Sequence, residues 1–255
     1  IKSKFTVLAT GGLGGIYKNT TNFSHIKGDG VAIAIRHNIE LKDISYIQIH
    51  PTTLYSKENK RKFLISESVR GEGAILLNQK LERFTDELKP RDKVTKAILE
   101  EMKKDKSEYE WLDFSTIKLD VKERFPNIYR NLMENNIDPL KDKVPVVPAQ
   151  HYTMGGIKVD MDSKTSMKNL YAIGEVACTG VHGKNRLASN SLLESVVFGK
   201  RAAYSIIDEN NISVYNEITD DIFENIADKI IVIDEKENKN IIEKRIKEDE
   251  FEKNR

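Results

Sequence analysis

The feature that most restricts the fold of this chain is its opening. A short apolar run, Phe5-Thr6-Val7-Leu8-Ala9, is followed at once by Thr10-Gly11-Gly12-Leu13-Gly14-Gly15. A run of that length bounded by glycines reads as a buried strand entering a tight turn. Glycine admits positive φ and lets a backbone or a ligand approach closely. The arrangement suits an α/β domain with a phosphate or ring cofactor over the turn. The full G-x-G-x-x-G spacing is not met, because position 17 is tyrosine. On its own the run is equally compatible with a turn that binds nothing.

Further along, Gly28-Asp29-Gly30 forms a second turn ahead of a short helix over 31–37. Tyr46 to His50 reads as a strand ended by Pro51. Phe63 to Val69 reads as a strand, followed by Arg70-Gly71-Glu72-Gly73 and another strand over 74–77. Pro90 suits the start of a helix over Arg91 to Met102, since the first helical turn needs no amide donor there. A further helix is expected over 125–134. In Val144-Pro145-Val146-Val147-Pro148 two prolines remove ladder donors, so an extended linker is expected and not a central strand. Leu170 to Ile173 is a strand. The clearest helix is Ser191 to Ile207, with Leu192, Leu193, Val196, Val197, Ala203, Ile206 and Ile207 on one face. Ser191-Leu192-Leu193-Glu194 fits a capping box at its start. The charged run from Lys239 to Arg255 reads as a solvated helix face or frayed end.

The expected organisation is a discontinuous α/β domain over 1–43 and 153–220, an inserted α+β domain over 44–152, and a helical piece over 221–255. Both ends read as cut, so part of a longer protein is expected. Lys plus Arg total 41 against 40 Asp plus Glu, a net charge of +1, which gives no electrostatic case for nucleic acid or an anionic membrane as partner. No apolar run approaches the ~20 residues that span a bilayer. The one cysteine, Cys178, excludes an intrachain disulfide and a thiolate metal cluster, in keeping with a cytoplasmic setting.

Histidines and arginines supply the candidate chemistry. His50, His151 and His182 occupy loop-like or strand-end positions, where functional side chains concentrate. No histidine pair has helical ligand spacing and no H-E-x-x-H occurs, so no metal is expected. His25 and His37 read as structural. Arg91 stands at a helix start, where the dipole disfavours a cation, so an anionic neighbour or ligand must offset it. A guanidinium can hold a carboxylate through two parallel bonds. Glu67 and Glu72 flank Arg70 in sequence, so they either tune its proton affinity or form a solvated ion-pair network. The loop His182-Gly183-Lys184-Asn185-Arg186 leads towards the Ser191 helix, whose amino terminus favours negative charge.

Taken in order, four segments resemble one family. They are Phe63-Leu64-Ile65-Ser66-Glu67-Ser68-Val69-Arg70-Gly71-Glu72-Gly73, Leu88-Lys89-Pro90-Arg91-Asp92, Pro148-Ala149-Gln150-His151-Tyr152-Thr153-Met154-Gly155-Gly156 and Asn185-Arg186-Leu187-Ala188-Ser189-Asn190-Ser191-Leu192-Leu193-Glu194. The resemblance is to the succinate dehydrogenase, fumarate reductase and L-aspartate oxidase flavoproteins, over about Phe5 to Ala203. Tyr171 to Gly183, with Thr179-Gly180 ahead of Val181-His182-Gly183, is most similar to the aspartate oxidase branch.

The resemblance implies an FAD-binding α/β domain, with 44–152 as a capping domain and 221–255 as the start of a helical domain. It implies FAD contacts at Gly12, Asp29, Glu175, Ser191 and Leu192. It implies a dicarboxylate pocket of His50, Ser66, Glu67, Arg91, His151 and Arg186, with Arg91 handling the proton. The implied activity is oxidation of L-aspartate to iminoaspartate with oxygen or fumarate as acceptor, and quinolinate synthase of NAD biosynthesis is the implied downstream partner. A fumarate reductase or succinate dehydrogenase flavoprotein, and a non-catalytic remnant without flavin, are the competing readings. The family's amino-terminal dinucleotide fingerprint and its acidic contact to the substrate amino group are not in this sequence.

Overall fold

In the computed structural model, which describes residues 3–58, 61–211 and 234–254, the chain divides into two compact units. One comprises residues 1–16, 25–47 and 152–255, the other 17–24 and 48–151. Residues 17–24 thus cluster with the inserted segment, although the sequence reading grouped them with 1–43. The reason is local pairing: the Thr21 amide donates to the Gln150 carbonyl at 2.9 Å, and the Gln150 amide to the Asn19 carbonyl at 2.9 Å.

The first unit holds two small sheets. Strand β1 (Thr6–Leu8) pairs in parallel with β8 (Leu170–Ala172), Val7 opposite Tyr171. Contrary to the expectation of a buried strand, Thr6 and Val7 are exposed. Among the described residues β8 is the only strand paired with β1, which leaves much of its surface open. The second sheet has the order β2-β7-β9, built from Leu41–Lys42, Gly156–Lys158 and Ala177–Cys178. Helix α1 (Asp29–Arg36) starts after Gly28 at φ 87°, a left-handed position where a Cβ would also meet Leu13 at 2.9 Å.

Helix α6 (Asn190–Asn211) is longer than the sequence pattern required. Its buried positions include Glu194, Phe198 and Ala202, spaced by four. The apolar stripe expected to pack does not: Leu192, Leu193, Val196 and Val197 are exposed. The expected capping box is not used either, because the Glu194 carboxylate turns to Tyr152, Thr179 and His182. Helix α7 (Glu235–Lys253) packs on α1 and buries Asn238, Ile242, Ile246 and Asp249, so this charged run is more than a solvated face. Residues 212–233, which include the expected boundary near 221, lie outside the described residues.

The second unit is a four-stranded sheet of order β3-β6-β5-β4, formed by Ile47–Leu54, Val144–Thr153, Glu110–Asp113 and Ile75–Leu77. Helices α2 (Glu67–Gly71), α3 (Arg91–Asp105), α4 (Val121–Arg124) and α5 (Pro126–Glu134) complete it. Its core joins Ile65, Val69, Leu76, Val94, Ile98, Leu112, Phe114, Leu132, Val144 and Val146. Three sequence expectations fail here. Residues 67–71 are helical, capped by Ser66, where a strand through Val69 was expected. Pro51 lies within β3 and does not end it; β3 is an edge strand, where proline is tolerated.

The third failure is β6, which is a central strand despite Pro145 and Pro148. The register explains it. The Pro145 carbonyl faces β3 and accepts the Tyr55 amide at 2.9 Å, so its missing N–H also faces that side, at the end of β3. By alternation Pro148 faces β5, but β5 begins at Glu110 opposite Val146 and offers no residue that far along.

Candidate functional site

In the second unit, Arg91 is the first residue of α3, after Pro90 at φ −50°. Its Nε donates to Glu67 Oε2 at 2.8 Å, its Nη2 lies 2.7 Å from the same oxygen, and its Nη1 donates to Gln48 Oε1 at 3.0 Å. The anion needed to offset a cation at a helix start is therefore Glu67, itself the first residue of α2. Ser66 accepts the Ser68 amide at 3.3 Å as the cap of that helix.

His50 on β3 and His151 on β6 meet edge to face, with ring centroids 5.5 Å apart at 72°. His50 is buried, and burial, with the nearby His151, Arg91 and Arg70, holds its pKa well below the usual 6.5. Its Nδ1 lies 3.1 Å from the Thr52 carbonyl, whose hydrogen bond acts in the opposite direction. His151 Nδ1 lies 2.8 Å from Thr21 Oγ1.

Arg70 lies in the interior. Nη1 donates to the Glu87 carbonyl at 2.5 Å, while Nε and Nη2 have no hydrogen-bond partner among the described residues. Burial lowers its pKa, which Glu67 opposes. Glu72, by contrast, pairs with Arg124 at 2.9 Å, so the expected grouping of Glu67 and Glu72 about Arg70 holds only for Glu67. Gln48, Arg70 and Thr21 were not singled out as site residues from sequence. Gln48 could have been: it stands two residues before His50 on a strand, hence on the same face.

The first unit brings together a second set. Tyr152 donates its hydroxyl to Glu194 Oε2 at 3.0 Å, and His182 Nε2 lies 2.8 Å from that oxygen. Thr179 donates to Glu194 Oε1. The Arg186 guanidinium stands over the Tyr152 ring, 4.5 Å from its centroid, and Nη1 reaches Ser191 Oγ at 3.4 Å. Glu175 is tied to this set. It accepts the Thr153 amide at 2.9 Å, and burial pushes its pKa up to about 7 against the pull of Thr153 and Arg186. Gly12 abuts Glu175, and a Cβ there would run into the carboxylate, so the glycine is required by close approach. Asp29 opens α1 and accepts from Asn238 Nδ2 at 3.4 Å.

The flavin expected at Gly12, Glu175, Ser191 and Leu192 can be tested for fit. Glu175 offers a half-buried carboxylate packed against the Gly12 backbone. Ser191 sits at the anion-favouring start of a long helix. Leu192 adds an exposed apolar surface, 73% accessible. A polyhydroxylated chain with a planar apolar ring matches that donor and surface set. Asp29 fits less directly, since α7 already engages it.

Comparison with known proteins bears on these arrangements. The FAD binding domain family matches residues 1–192. An L-aspartate oxidase of Clostridium perfringens is 60% identical over 208 residues, covering 81% of this chain and 47% of that protein. An L-aspartate oxidase of Clostridium acetobutylicum is 53% identical over 242 residues, 94% of this chain and 55% of that protein. This chain thus spans about half the length of these curated relatives. Among solved structures, E. coli quinol fumarate reductase FrdA superposes with a TM-score of 0.72 at 34% identity, over 84% of this chain and 40% of that one. Mycobacterium smegmatis Sdh1, in complex with UQ1, gives 0.74 at 34% identity, over 89% and 40%. No described helix is long and apolar enough to cross a membrane. The chain belongs to the FAD-binding domain family, with the fold of the succinate dehydrogenase and fumarate reductase flavoproteins.

Proposed function

We propose that this protein oxidises L-aspartate to iminoaspartate, using oxygen or fumarate as final acceptor. FAD, when bound, supplies the acceptor for the hydride leaving Cα. The observation that carries the reading is the clamp on Arg91 by Glu67 and Gln48, in the same unit as the His50–His151 pair. Such a set of fixed cationic and neutral donors suits a small dianion. The names of the relatives supply the substrate.

In this reading His50, held neutral by burial with its Nδ1 accepting the Thr52 amide at 3.3 Å, donates through Nε2 to a carboxylate oxygen, and His151 donates to another. Ser66, next to Glu67 in sequence, serves the same ligand. Arg91 orients a carboxylate and handles the proton together with Glu67. An arginine is a poor base at its ordinary pKa above ~12, so the Glu67 carboxylate against it is what makes a proton exchange feasible. Arg186 is a second carboxylate contact. Gly12, Asp29, Glu175, Ser191 and Leu192 would hold FAD. Iminoaspartate would pass to quinolinate synthase in cytoplasmic NAD biosynthesis.

The test uses the full-length protein. Arg91→Leu is expected to retain flavin absorbance while losing aspartate-dependent flavin reduction by a factor of about 10³, the loss of an oriented acid–base group. Turnover in that variant at the wild-type rate removes Arg91 from the mechanism. Succinate and fumarate are expected to compete with aspartate. The likeness to fumarate reductase supports a second reading, fumarate–succinate interconversion. It would be chosen if succinate, and not aspartate, reduces the flavin.

A further inference from the structure

We propose that Tyr152, clamped by Glu194, is a positioning residue that aims the Arg186 guanidinium at its carboxylate ligand; this rests on the reading of Arg186 as a dicarboxylate contact. Arg186 is buried and projects from a loop that carries no regular structure of its own. Its Nη1 bonds to the Leu187 carbonyl and Ser191 Oγ are long, at 3.3 and 3.4 Å. The Tyr152 ring lies beneath Cζ, with its centroid 4.5 Å away. A ring face attracts a guanidinium through its π electrons. It also leaves the N–H groups, which lie at the edge of the guanidinium plane, directed at other acceptors.

The platform is itself fixed. Burial and the Glu194 and Glu175 carboxylates raise the Tyr152 pKa, so the hydroxyl keeps its proton and donates to Glu194. The His182 ring stands against the tyrosine edge, with centroids 5.8 Å apart at 84°. Glu194 is in turn held by Thr179 and His182, and its place on the buried face of α6, with Phe198 and Ala202, leaves it little freedom. A buried carboxylate is costly unless it is well bonded. Here its bonds lock one ring, whose face lies against one arginine.

The experiment measures succinate affinity of the full-length, flavin-loaded protein through the change in flavin absorbance. Tyr152→Leu is expected to weaken succinate about tenfold by removing the ring face. Tyr152→Phe keeps the ring, loses the anchor to Glu194, and is expected to weaken it about threefold. In an Arg186→Ala background neither change should weaken binding further. If both act equally in that background, Tyr152 is merely structural and the proposal is overturned. It is also overturned if Arg186→Ala weakens succinate while the Tyr152 variants do not, which leaves the dicarboxylate reading standing. If Arg186→Ala itself leaves succinate binding unchanged, both fall. Should Tyr152→Leu fail to fold or to hold flavin, Tyr152→Phe decides by the same criteria.

Discussion

Arg70 poses the sharpest question at the scale of single residues. It is 2% exposed, with two of its guanidinium nitrogens lacking hydrogen-bond partners among the described residues. A buried charge in that state costs stability, and an apolar residue of similar length should relieve it. Arg70→Met is therefore expected to raise the stability of the full-length protein by about 1 kcal/mol in urea unfolding. The same change removes a positive charge that acts on both His50 and Glu67. The pH dependence of aspartate oxidation should shift, because His50 then takes up a proton more readily. A variant that is less stable and has an unchanged pH profile would make Arg70 a structural residue. In sequence Arg70 showed only two acidic neighbours. Which of them it faces depends on Arg124, 52 positions beyond Glu72, which claims that carboxylate.

At the scale of elements, much was legible where the signal is local. Pro90 marked the start of α3, and the dipole argument required an anion beside Arg91. That the anion is Glu67, 24 residues away, came only with the fold. The same holds for His151 against Thr21, separated by 130 positions, and for Tyr152 against Glu194, separated by 42. The prolines of β6 misled because a local rule removes donors without regard to which neighbour would have used them. Register decides that. Pro145→Val is accordingly expected to change stability by less than about 1 kcal/mol, whereas Val146→Pro deletes a donor facing β5 and should cost about 3 kcal/mol or more. Equal losses from the two substitutions in denaturant unfolding would refute the register argument. The α6 stripe misled in another way: periodicity locates an apolar face, but burial needs a partner, and the described partner packs on Glu194, Phe198 and Ala202 instead.

At the scale of the whole molecule, two buried titrating groups pull stability in opposite directions. His50 has a folded-state pKa well below 6.5. Between that lowered value and 6.5 the unfolded chain binds its proton and the folded chain does not, so stability rises with pH. Glu175 has a folded-state pKa of about 7, raised from 4.5. Between these values the folded chain binds the extra proton, so stability falls as pH rises. The windows overlap below pH 6.5, where the two slopes offset each other. Each single variant should unmask the other group. In flavin-free full-length protein, Glu175→Gln is expected to show stability rising with pH across that interval. His50→Asn is expected to show it falling, each with a slope of about 1 kcal/mol per pH unit. Above pH 6.5 only Glu175, of these two groups, still contributes a slope, so the wild type should lose stability there and Glu175→Gln should not. Parallel pH profiles for the wild type and both variants, from thermal melts between pH 4.5 and 7, would mean that neither group is buried as the structure has it. Because Glu175 is also a proposed flavin contact, added FAD should bind Glu175→Gln with a weaker pH dependence than wild type, linking the stability measurement to the cofactor.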